Sequence, residues 1–128
     1  MPSRVDTIAF DCHDPEELAG LWCSALGYRV AQVHEGWGIQ IADPSGSGLP
    51  LLLLGVPEGK VVKNRTHLDI RPPDSMQAEA DRLSVEGASV QRHDDGNWIV
   101  MQDPEGNEFC VLRGPEDGWS PRPEGLDA

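Results

Sequence analysis

The chain has 128 residues, 38% hydrophobic and 25% charged, which suits one domain with its own core and excludes a coiled coil, a disulfide-knotted peptide or a disordered chain. Ten basic against 22 acidic residues give a net charge of −12, which argues against nucleic acid and anionic membrane as partners; it keeps a surface soluble and also suits a cationic ligand. No apolar run approaches the ~18 residues of a membrane span, no basic-then-apolar leader is visible, and Cys12, Cys23 and Cys110 form no CxxC pair, so a cytoplasmic protein is expected.

Val5–Asp11 predicts a first strand. Asp14-Pro15-Glu16-Glu17 then offers an N-cap, a proline at N1 and a glutamate at N3, and Leu18, Leu21, Trp22, Ala25 and Leu26 recur at helical spacing up to a stop at Gly27. Three strands are expected next, near Tyr28–His34, Trp37–Ala42 and Leu51–Gly55, with Asp43-Pro44-Ser45-Gly46 as turn chemistry between the last two. A join over Val56–Lys63 carries Pro57 and Gly59.

The series then starts again. Thr66–Arg71 reads as a strand, and Asp74 as an N-cap with Gln77 at N3. Met76, Ala80 and Leu83 give a thinner stripe ending at Gly87, followed by strands near Ser89–Arg92, Trp98–Gln102 and Glu108–Leu112 around the turn Asp103-Pro104-Glu105-Gly106. Asp14 and Asp74, Gly27 and Gly87, Val30 and Val90, and the two Asp-Pro-x-Gly turns all stand 60 residues apart. Two copies of a βαβββ module, an α+β fold, account for this spacing. Module one spans about 4–56 and module two about 64–113 of a single domain, 1–113; the tail 114–128 is expected to be irregular and pinned by Trp119.

Tandem βαβββ modules resemble the vicinal oxygen chelate superfamily, and this chain is most similar to its small glyoxalase-like proteins. The resemblance rests on Asp11-x-x-Asp14-Pro15-x-x-Leu18-Ala19-x-x-Trp22, on Leu26-Gly27-Tyr28, on Lys63-Asn64-Arg65-x-His67-Leu68-Asp69-Ile70, and on Trp98 through Asp103-Pro104-Glu105-Gly106-Asn107-Glu108-Phe109. It implies a cupped mixed sheet with helices on its outer face, a small-molecule ligand in the concave cavity, and a homodimer. It also implies four ligand positions in the metal-dependent relatives, on the first and last strand of each module. Here they fall on Thr7, around Pro50–Leu52, on His67 and on Glu108. Two of these are ligands, His67 and Glu108, whereas an open catalytic metal site usually needs three. The choice lies between a divalent ion (zinc, nickel, manganese or iron) and a metal-free His67/Glu108 pair doing acid–base work, the second being favoured.

Strand alternation puts Thr7, Asp11, His67, Asp69, Glu108 and Cys110 on the cavity face. A full pleat, ~6.5 Å, separates Asp69 from His67 and argues against a shared metal shell. Cys110 has no activating neighbour in sequence. Trp37 and Trp98 open the third strand of each module and suit stacking on a flat ligand. Cys12-His13-Asp14 are too close in sequence to converge on one point, His34 and His93 fall at solvated strand ends, and Lys63-Asn64-Arg65 suits pairing with surface acids. The main reading is a small-molecule-binding lyase or isomerase using His67 and Glu108, favoured by the retention of those two residues; the alternative is a metal-free drug-sequestering protein of the bleomycin-resistance kind, favoured by the missing first-module ligands and the net charge of −12.

Overall fold

The structure, a computed structural model, describes residues 1–121; the rest of the predicted irregular tail lies outside the described residues. The chain divides into two compact units, Met1–Val62 with Asp103–Gly106, and Lys63–Gln102 with Asn107 onward. Each holds one α-helix and one four-stranded mixed sheet, as the repeat predicts.

The first unit runs β1 (Ile8–Cys12), α1 (Pro15–Leu26), β2 (Arg29–His34), β3 (Gly38–Ala42) and β4 (Leu51–Gly55). Its sheet has the order β1-β4-β3-β2, with β1 parallel to β4 and the other pairs antiparallel. α1 begins where the cap residues predict: Asp14 Oδ1 accepts from Glu17 N at 3.2 Å, and Pro15 opens the first turn. It ends on Gly27, whose φ of 69° is left-handed and favours glycine. The helix buries Leu18, Leu21 and Trp22, and the Trp22 ring meets Phe10 edge-on at 5.8 Å. The carboxylate of Glu105 accepts from the backbone N–H of His13 and of Asp14, both at 2.6 Å, just ahead of the helix.

The second unit repeats the series as β5 (Asp69–Ile70), α2 (Met76–Val85), β6 (Ser89–Asp94), β7 (Trp98–Gln102) and β8 (Glu108–Leu112), in the order β5-β8-β7-β6. Ala80, Leu83, Met101, Phe109 and Val111 form its core. Three details differ from expectation. α2 is capped by Ser75, whose hydroxyl accepts from Ala78 N at 3.1 Å, while Asp74 turns its carboxylate to Ser75 N. β5 has two residues: one residue after it, beyond Arg71, Pro72 and Pro73 offer no N–H, and its pairing reaches upstream only as far as Leu68, which accepts from Cys110 N. Trp37 belongs to the β2–β3 turn, one residue before β3, and stacks on His34 at 4.2 Å.

The described tail is not wholly irregular, since Pro115–Asp117 forms a 3-10 turn, and Arg71 lies 4.0 Å from the Trp119 ring centroid. Asp117 Oδ2 accepts from both Met76 N and Gly114 N at 2.8 and 2.9 Å, tying this segment to the start of α2. A side chain at Gly114 would collide with the backbone of Asp74. No helix among the described residues is long and apolar enough to cross a membrane.

Candidate functional site

Ladder register sets the chemistry of the second sheet's open face. Asp69 pairs with Cys110, Cys110 with Val100, and Val100 with Arg92. These four form one row across all four strands, with neighbours ~4.8 Å apart. A second row places Trp98 beside Leu112. Arg92 joins the row because β6 is bulged between Val90 and Arg92. Simple alternation puts Arg92 on the same side as Val90, toward Met101; the extra residue, Gln91, turns it to the Val100 side. Sequence reasoning missed Arg92 for this reason.

These residues line a cavity of about 280 Å³ together with Lys63, His67 and Glu108. Of the residues singled out from sequence, His67, Asp69, Trp98, Glu108 and Cys110 meet here, all within the second unit. Thr7 and Trp37 belong to the first unit: the Thr7 hydroxyl donates to Asp6 at 3.1 Å, and Trp37 holds its stack on His34.

His67 Nδ1 lies 2.9 Å from Asp69 Oδ1, with both side chains still 40% and 47% exposed. The full pleat expected between them is missing because β5 begins only at Asp69, so His67 sits ahead of the strand and folds back. Asp69 also accepts from the Cys110 thiol, and this contact helps hold the proton on sulfur. Burial is the largest cause raising the Cys110 pKa and the Asp69 charge the next, against smaller opposing effects of Arg92 and Lys63. Glu108 is buried, 7% exposed, and its Oε1 accepts from Asn64 N at 2.9 Å.

The same registers locate the first unit's counterparts. Ala9 pairs with Leu52, Leu52 with Gln40, and Gln40 with Gln32, so the equivalent row holds no ionisable group. By this register Thr7 stands where His67 does and Pro50 where Glu108 does. A neutral hydroxyl and a proline cannot complete the four-position metal set that the resemblance implies, and that set does not fit this chain.

Cys12-His13-Asp14 is likewise no nucleophilic site. Cys12 is 1% exposed, and burial, followed by the charges of Glu105, Asp103, Asp14 and Asp11, pushes its thiol up to about 12.

Comparison with known proteins agrees with this architecture. The family model described as "glyoxalase-like domain" matches residues 7–112. No curated protein matches the chain. Among solved structures, glyoxalase I from Leishmania major is similar at 18% identity and a TM-score of 0.70, covering 89% of this chain and 88% of that one. A fosfomycin resistance protein from Mesorhizobium loti is 13% identical with a TM-score of 0.69, over 89% of this chain and 94% of its own. A possible glyoxalase from Bacillus cereus is 15% identical with a TM-score of 0.67, over 87% and 99%. At these identities the likeness is one of fold.

Proposed function

The chain belongs to the glyoxalase-like domain family, and from that premise we propose that it binds a small organic acid with a flat apolar body in the cavity of its second unit. The observation that carries this reading is the row Asp69–Cys110–Val100–Arg92 beside Trp98. Trp98, Val100 and Leu112 supply apolar walls for a ring. Arg92 and Lys63, two of the chain's ten basic residues, supply the counter-charge for a carboxylate.

The test is a tryptophan fluorescence titration with aromatic carboxylates, run with a chelator present. Trp98 is 37% exposed and should be quenched as a ring stacks on it. Trp98→Leu should lose most of the signal change, and Arg92→Gln should weaken binding roughly tenfold, the loss of about one charge-assisted hydrogen bond. Equal affinity for the matching aromatic amines would overturn the assignment of an acid.

The His67–Asp69 contact supports a second reading, a lyase or isomerase. A histidine whose Nδ1 is held by a carboxylate presents Nε2 as a proton acceptor. Glu108 stands in the same cavity as a second acid–base group. A proton removed beside a carbonyl would exchange with solvent deuterium, and both His67→Gln and Glu108→Gln should stop that exchange. On either reading the two modules serve as one domain over residues 1–113, and the protein works as a cytoplasmic homodimer.

A further inference from the structure

We infer that the second unit carries a binding site for a thiophilic divalent cation, of the zinc type, formed by His67, Asp69 and Cys110. The inference starts from register. β5 and β8 are parallel and pair Asp69 with Cys110, so the carboxylate and the thiol leave the same face from adjacent strands. His67 reaches that point from the segment ahead of β5. One ligand atom from each of the three lies within 4.8 Å of the others, the one such group of three or more among the described residues. Donors around a tetrahedral zinc stand ~3.3–3.8 Å apart. The exposed side chains of His67 and Asp69 can cover the difference by rotation, without backbone movement.

The donor types choose the ion. A thiolate, an imidazole and a carboxylate together suit zinc or cobalt and are a poor shell for magnesium or calcium, which take oxygen. The cation must displace the proton that Cys110 now shares with Asp69, so binding should release about one proton. This set differs from the one the family resemblance implies: it omits Glu108, uses Asp69 and Cys110 in its place, and lies wholly in one unit. It stands independently of the organic-acid reading, because the test uses the metal alone.

The experiment is a titration of chelator-treated full-length protein with cobalt(II), with a non-thiol reductant present. A saturable thiolate-to-cobalt charge-transfer band, displaced by zinc and not by magnesium, is expected. Cys110→Ser should abolish the band. His67→Gln and Asp69→Asn should each weaken binding more than about tenfold, and Glu108→Gln should leave it in place. A band that survives Cys110→Ser, or one that Glu108→Gln removes, would overturn the site, as would no band at all in the unmutated protein. A second measurement avoids folding defects in the variants. In the unmutated protein, zinc should protect Cys110 from alkylation while Cys23 reacts at its unchanged rate. Equal protection of both thiols would also overturn the proposal.

Discussion

Cys12, Cys23 and Cys110 are three thiols in three settings, and their surroundings separate them more sharply than their sequence context does. Cys12 Sγ lies 3.4 Å from Leu54 O, inside the first unit's core. Its folded pKa is pushed up to about 12 from an ordinary value of 9.0, so the folded state favours the neutral thiol. That preference is fully present below pH 9 and is lost as pH rises toward 12, because the unfolded chain gives up its proton first. Denaturant midpoints should therefore fall above pH 9, and Cys12→Ala should flatten that alkaline limb while costing some stability at neutral pH. An unchanged alkaline slope in the variant would place the sensitivity elsewhere. Alternation alone assigned Cys110, Glu108 and Asp69 to the open face, and they line the cavity there. It could not show that His67 precedes its strand, nor that a bulge brings in Arg92, because both depend on where hydrogen bonding starts and slips.

Most elements were legible because the two modules repeat their punctuation. Proline marks the head of α1 alone, but a glycine just past each helix and the paired Asp-Pro-x-Gly turns mark boundaries in both copies. The turns fold alike: Asp43 Oδ1 accepts from Ser45 N and Asp103 Oδ1 from Glu105 N, each at 2.9 Å. The Ser45 hydroxyl also donates to Asp43 Oδ1, at 2.8 Å, and the backbone and hydroxyl bonds from Ser45 together hold the Asp43 carboxyl below the usual range. The start of α2 was misread because Asp74 and Ser75 are both good caps and only the backbone decides between them. Ser75 is extended, with φ −138° and ψ 159°, and its hydroxyl caps Ala78 N. Ser75→Ala should cost about 1 kcal/mol of unfolding free energy, and Asp74→Ala less, as read from chemical denaturation.

At the scale of the whole molecule, duplication has left two sheets of one topology and opposite chemistry. One row reads Ala9, Leu52, Gln40, Gln32; its counterpart reads Asp69, Cys110, Val100, Arg92. Backbone pairing does not depend on which side chains fill these places, so the first copy keeps the same ladder with no ionisable group in its row. Gln40→Val and Gln32→Leu should therefore leave the fluorescence titration of the second unit unchanged, whereas Arg92→Gln should not. A shift in affinity from the first-unit pair would show that the ligand reaches beyond the second sheet. The matched structures share the fold at 13–18% identity, which is why reaction type has to be argued from this row and not from overall likeness.

The bulge in β6 makes deletion a sharper tool than substitution. Gln91 and Arg92 together oppose Val100, while Val90 keeps Met101 and His93 keeps Ile99. Excising Gln91 leaves a regular strand with every remaining pair intact and the guanidinium in its row. Excising Arg92 leaves the same regular strand but hands its place to an amide. Two adjacent one-residue losses, equal in length and in effect on the ladder, should thus part ways in anion affinity, the first close to the parent and the second close to Arg92→Gln.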